Sequence, residues 1–271
     1  MTSAMLDAAA ALRAQLAQYT QDTRLLRFTT SSGADQFLVE HIDGHEGLSQ
    51  GYRFDITALS SDSGIDLDGL LGQPALLEIL TQQSRTDLRP VHGHISACER
   101  LGSDGGFTRY RLVLEPWTAF LRYRFDSYVW QDATVVEILE DLFSDYRDQG
   151  RLVPRWRFAL ADASQYPRHE VRTQFEESDW TFVERLLADE GLFYWFEHQA
   201  DHGSDAAGTH QLVIGDHNGA FTPNAQPVIR FHRAAATEQA DGITGWHATR
   251  RLMTNAIVVG SWHEGQVAGI A

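Results

Sequence analysis

Tyr52, Phe54 and Ile56, and again Tyr110, Leu112 and Leu114, put a large apolar side chain at every second position. Successive side chains of an extended strand point to opposite faces, so such runs fold with one face buried and the other wet. Four more runs between Thr23 and Pro116 are rich in strand formers: RLLRFTT, QFLVEHI, ALLEILT and VHGHISAC. The turn signals DGHEG, SSDSG and LGSDGG stand between runs of this kind. Short strands at this spacing predict an antiparallel barrel or sandwich.

After Pro116 the period changes. In DATVVEILEDLFSDY, Val135, Ile138, Leu139, Leu142, Phe143 and Tyr146 fall on one helical stripe, with Asp132 where an N-cap is wanted. ESDWTFVERLLADEG predicts a second helix from Ser178, with Asp179 at the positive end of its dipole and Gly191 as the left-handed residue that closes it. LFYWFEH then reads as a buried strand, HQADHGSDAAGTH as a loop, and HQLVIGD, PVIRFH, GITGWHATR and NAIVVGSWH as further strands. Near the start, Leu6, Leu12, Leu16 and Tyr19 recur at near-helical spacing, either as a docking arm or as a ragged extension. The expected fold class is mainly β (α+β): two barrel-like antiparallel β domains with a helical connector. The boundaries follow as a helical extension over 1–22, a first barrel over 23–116, a connector over 117–170, and a second barrel over 171–271 with its helix at 178–190.

Composition narrows the partners. The net charge is −15, and all 22 basic residues are Arg, dispersed along the chain. Such a surface repels phosphate backbones and anionic lipid, so no nucleic-acid partner is expected. No apolar stretch approaches the roughly 20 residues that span a bilayer, so no membrane insertion is expected. Cys98 is the single cysteine, which excludes an internal disulfide and fits folding in a reducing compartment. It reads as a small buried strand residue rather than a nucleophile. The start of the chain lacks a basic n-region, so no signal peptide is expected, and any export uses a route that ignores one.

Several constellations suggest chemistry. Gly47-Leu48-Ser49-Gln50-Gly51 is a literal G-x-S-x-G, but a nucleophile elbow needs a helix after the serine, and YRFDITA alternates as a strand. A serine esterase-like hydrolase is therefore the rival reading. His92 and His94 share a strand face, while His198, His202 and His210 surround the predicted loop with Asp201 and Asp205. Their spacing matches no tight ligand signature, so the latter three read as solvated loop histidines. Glu176, Glu177 and Asp179 suit a helix N-terminus without invoking acid–base chemistry. Phe193, Tyr194, Trp195 and Phe196 read as a core strand, or else as the groove of a monomeric carbohydrate-binding β module. No catalytic residue, cofactor or metal is expected.

RTQFEESDWTFVERLLADEGLFYWFEH resembles a block of the VgrG family, the spike proteins of bacterial type VI secretion, whose N-terminal region is similar to phage baseplate hubs. Arg172, Gln174, Glu177, Ser178, Asp179, Phe182, Arg185, Leu186, Glu190, Gly191, Tyr194 and Phe196 fall where that pattern places them. So do Gly44, Glu46, Leu48 and Ser49 in an early turn, Leu71 and Gly72, His92 and Gly93, and Tyr110 through Pro116 with Leu121. Gln131, Asp132 and Ile138 follow the pattern as well. Gln50 and Gly51 depart from the usual proline-containing start, and SWHEGQV departs from the usual acidic-aromatic stretch near the end. The resemblance spans about 23–262 and implies a structural, non-enzymatic hub. It implies a homotrimer presenting a pseudo-sixfold ring to the Hcp tube protein. Baseplate components and secreted effectors or adaptors would be the other partners. Assembly would be cytoplasmic, followed by export through the type VI apparatus. Longer relatives continue into an OB-like domain and a β-helix needle, neither of which lies within these 271 residues.

Overall fold

A computed structural model describes residues 21, 24–31, 33, 36–81, 84–104, 106–223, 228–231, 243, 245–252 and 254–256. By compactness the chain divides into Met1–Pro223 and Asn224–Ala271. The expected N-terminal helix lies outside the described residues, as does most of the expected strands after 224. In the second unit a parallel bridge joins Phe231 to Ile243, and the described part of GITGWHATR carries no further strand.

The first unit is mainly β, and two layers build it. The strands β1 (Leu26–Thr30), β2 (Leu38–Gly47), β3 (Gln50–Ser60), β4 (Pro74–Thr81), β5 (Ser84–Asp104) and β6 (Phe107–Glu115) form one antiparallel sheet in the order β1-β4-β5-β6-β3-β2. β1 lies against β2, so the sheet curls until its edges meet. The alternation read in the sequence explains the curl: Tyr52, Phe54, Ile56 and Ala58 on β3 and Tyr110, Leu112 and Leu114 on β6 all point inward. Phe28, Val39, Leu77, Val91 and Ile95 complete that core. Each fully buried side chain of this size stabilises the fold by about 1.5–3 kcal/mol. β5 reaches both neighbours, pairing with β4 through its first half and with β6 beyond His94. At Gly93 a Cβ would stand 2.8 Å from the Glu115 carbonyl oxygen, so only glycine admits β6 this closely.

The second layer begins at Pro116 with a 3-10 turn over Trp117–Tyr123. β7 (Phe125–Ala133) pairs antiparallel with β9 (His169–Ser178) as a two-stranded ribbon. β10 (Phe193–Ala200), β11 (Gly208–Gly215) and β8 (Trp156–Ala159) form a three-stranded sheet. Two helices, α1 (Val135–Ser144) and α2 (Asp179–Asp189), lie over a core of Trp117, Ile138, Leu139, Phe143, Phe182, Val183, Leu186, Tyr194, Leu212 and Ile214.

The layer differs from the sequence reading in three respects. Residues 117–170 are more than a helical connector, because β7 and β8 lie within them and pair with β9 and β11. β8 and β11 run parallel, not antiparallel. The cap of α1 is Thr134, not Asp132: its hydroxyl accepts from Glu137 N at 3.2 Å, and the Glu137 carboxylate accepts from Thr134 N at 2.9 Å. Asp132 still belongs to β7, where a positive φ of 49° turns the chain toward the helix. Ser178 caps α2 as expected, and Gly191 closes it at φ 69°. Thr134→Ala should lower unfolding stability by about 1 kcal/mol, whereas Asp132→Asn should change it by less than about 0.5 kcal/mol. Urea titration followed by circular dichroism distinguishes the two caps.

Candidate functional site

Within the block from 172 to 196, Asp179 gathers partners from distant parts of the chain. This side chain is buried, yet its carboxylate accepts from Tyr146 Oη at 2.6 Å and from Gln174 Nε2 at 2.8 Å. Arg124 stands 3.5 Å away and also pairs with Asp126 and Asp145. Asp179 N donates to the Arg124 carbonyl at 3.0 Å, so one residue ties α2 to the chain just before β7, to β9 and to the turn after α1. Burial, and then the bond to Asp179, push the Tyr146 phenol well up, so it remains a donor. The neighbouring residues are also held: Arg185 pairs with Glu177 and lies over the Phe182 ring. Arg172 reaches Glu190 at 2.8 Å, and Phe182 stacks on Trp130 with centroids 5.0 Å apart. Tyr194 donates to Glu184 at 3.3 Å from within the core. All these side chains serve contacts within the layer.

Where the layers meet lies a cluster that the sequence did not predict. His198 and His210, expected in a solvated loop, are a cross-strand pair of β10 and β11. The hairpin closes around residues 201–206, shorter than its composition suggested, which draws both histidines into the sheet; His202 alone of the three stays largely exposed. They meet His92 and His94 on the outer face of β5. His92 Nδ1 is 2.8 Å from His210 Nδ1, and Tyr52 Oη donates to the His92 carbonyl at 2.5 Å.

Backbone partners fix every tautomer. Trp117 N can only donate, at 2.9 Å, so His210 Nε2 is bare and its proton sits on Nδ1. The Ala206 carbonyl can only accept, at 3.0 Å, so His92 carries its proton on Nε2 and its Nδ1 is bare. These two assignments, made independently, orient the His210–His92 bond in the same sense. His198 Nδ1 accepts from His92 N at 3.2 Å, which leaves its Nε2–H buried without an acceptor. His94 Nδ1 donates to the Gly72 carbonyl at 3.0 Å, and its Nε2 accepts from Val153 N at 3.4 Å. Burial holds His92, His94 and His198 down at about 4 and His210 well below an ordinary imidazole. Among the described residues no group of three or more His, Cys, Asp or Glu has metal-binding geometry.

The other sequence-predicted residues surround this seam. Ser49 occupies the two-residue turn between β2 and β3 at φ 50°, and its N–H donates to the Tyr194 carbonyl at 2.8 Å. Strand, not helix, follows it, so the G-x-S-x-G lacks the frame of a nucleophile elbow. Gly44 lies opposite Phe54, whose ring fills the space a side chain would take. Glu46 pairs with Arg89, Leu48 is exposed, and Pro116 leads into the 3-10 turn. The aromatic run divides by face: Tyr194 and Phe196 turn inward, whereas Phe193 and Trp195 stack with Phe221 on the other side. Cys98 is half-buried, donating to the Leu67 carbonyl at 3.2 Å, and burial raises its thiol pKa.

Residues 45–268 match the phage tail baseplate hub (GPD) family. The chain belongs to this family. Among hub relatives, the type VI secretion system spike protein VgrG1b of Pseudomonas aeruginosa is 29% identical over 240 residues, covering 88% of this chain and 30% of its own length. VgrG5 of the same organism is 35% identical over 192 residues, covering 71% of this chain and 22% of the relative. The chain thus spans less than a third of either relative. A solved structure of the Escherichia coli c3393 protein, a component of the type VI secretion system with structural similarity to the T4 phage tail proteins gp27 and gp5, superposes with a TM-score of 0.60. It is 26% identical, and the match covers 72% of this chain and 50% of that one. The VgrG resemblance read from the sequence is therefore correct, as is the mainly β hub fold.

The geometry makes Asp179 the sharpest stability test within the hub. Asp179→Ala should strand the Tyr146 hydroxyl and the Gln174 amide without a partner and lower stability by about 3 kcal/mol. Phe125→Ser, on an exposed side chain of β7, should change it by less than about 0.5 kcal/mol under the same denaturant titration.

Proposed function

We propose that this chain is the structural hub of a type VI secretion spike. Three copies would form a ring that adapts the sixfold Hcp tube to a threefold needle. Baseplate components would hold the ring, and it would carry effectors or adaptors outward on sheath contraction. The observation that carries this reading is the hub-family match over 45–268, together with the role of the matching block in holding a fold. In this reading the curled sheet of 23–116 is one barrel-like half of the hub. The second half, expected over 171–271, also draws in β7 and β8.

The charge pattern supports association of like copies. With a net charge of −15, copies repel unless they meet where charge is absent. The outward face of the β7–β9 ribbon is such a place: Val129, Gln131, Val171, Thr173 and Phe175 are all exposed and none is charged. No described helix is long and apolar enough to cross a membrane. Assembly in the cytoplasm followed by export through the apparatus is the matching itinerary.

Light scattering should give the mass of three copies, and the double change Val129→Arg and Phe175→Arg should weaken association at least tenfold while leaving the circular dichroism unchanged. A strict monomer at millimolar concentration would overturn the proposal. So would an esterase activity that Ser49→Ala abolishes.

A further inference from the structure

We propose that the histidine seam is an acid-opened joint: proton uptake by His92, His94, His198 and His210 parts the β10–β11 hairpin from β5 while the core of each layer persists. This inference is independent of the hub assignment, because it rests on hydrogen-bond donors and acceptors alone.

Each ring has one bare nitrogen, and each bare nitrogen faces an N–H donor. His210 Nε2 faces Trp117 N, His92 Nδ1 faces His210 Nδ1–H, His198 Nδ1 faces the amide of His92, and His94 Nε2 faces that of Val153. A second proton on any ring would set two donors against each other and break that bond. The surrounding charges offer no relief. Arg89 on β5 and Arg155 before β8 both oppose a cation here. Of the nearby carboxylates, Glu46 of β2 pairs with Arg89 and Glu115 of β6 with Arg122 and Arg53, while Glu78 of β4 faces His202 of the hairpin at 3.3 Å, a pair that is ionic only when that imidazole is protonated. Tyr52 of β3, buried and held protonated by that burial, already spends its hydroxyl on the His92 carbonyl.

The pH window follows from linkage. An imidazole in a freed segment takes up its proton near pH 6.5, whereas burial holds His92, His94 and His198 down at about 4 and His210 well below its ordinary value. The opened form therefore binds more protons, so the seam is fully closed above pH 6.5 and loses stability as the pH falls toward 4. Opening is local because each layer has its own apolar core. Among the described residues, Phe196 packs against both cores, and Leu76, the cross-strand partner of His92, is buried outside either.

Hydrogen exchange read residue by residue tests this directly. The amides of His92, Trp117 and Val153 each donate to a seam ring, and their protection should fall more than about tenfold per pH unit between pH 6 and 4.5. Ile56 and Leu112 in the curled sheet and Leu186 in α2 should keep theirs. In His210→Gln the side-chain oxygen can accept from Trp117 N and the amide can donate to His92 Nδ1, so opening should move to lower pH with one proton fewer in its slope. Histidine ring NMR of the unaltered chain supplies a second readout: the four seam rings should hold neutral shifts down to about pH 5 and then change together. The proposal is overturned if the seam amides stay protected at pH 4.5 or lose protection in step with Ile56 and Leu112. Individual ring titrations near pH 6.5 would overturn it equally.

Discussion

Four uncharged imidazoles closed within one seam are the constraint on which the arrangement of the first unit depends. The outer face of β5 carries His92 and His94, and a curled sheet alone would leave them in water. The β10–β11 hairpin covers that face: its His198 and His210 bond to His92, while His94 is held by Gly72 and Val153. Burial of polar groups is costly unless donors meet acceptors, and here the alignment around each bare ring nitrogen requires the ring to be neutral. The seam therefore sets both which surfaces meet and the protonation state in which they can do so.

Within the second layer a single carboxylate plays the corresponding part. Asp179 follows the helix cap, faces inward and gathers donors from elements far apart in the chain. Around it, Arg172, Arg185, Glu177 and Glu190 form pairs that fix β9 against α2. Side chains occupied in this way are tied to the fold. This gives a physical account of why the block that carries the resemblance reads as architecture. Ser49 is placed through its backbone: its left-handed turn joins two strands, and its N–H donates to the Tyr194 carbonyl.

The acidity of the chain confines where like copies can touch. Repulsion between strongly negative surfaces leaves uncharged patches as the places of lowest cost, and the outward ribbon of β7 and β9 is one. A hub with its second layer tied down by Asp179 presents that ribbon from a rigid base. The seam, by contrast, joins layers whose apolar cores are largely separate. Rigidity and a breakable joint thus coexist because different interactions hold them.

The sequence by itself determined the elements that depend on neighbours in the chain. Period-two alternation placed β3 and β6, a helical stripe placed α1, and Ser178 and Gly191 marked both ends of α2, because these signals are local. Local signals also misled: Asp132 has the right chemistry for a cap, but its backbone turns left-handed and leaves that role to Thr134. The strands β7 and β8 were missed because Phe125–Ala133 and Trp156–Ala159 are ordered by partners distant in the chain. The histidine seam was beyond reach for the same reason. His92 and His210 are 118 residues apart, and nothing in the composition of either neighbourhood says that a hairpin will close early enough to bring them together. Their meeting, and with it the neutrality of all four rings, is decided only by the tertiary packing of one sheet on another, which buries a proton-accepting group where no second proton fits.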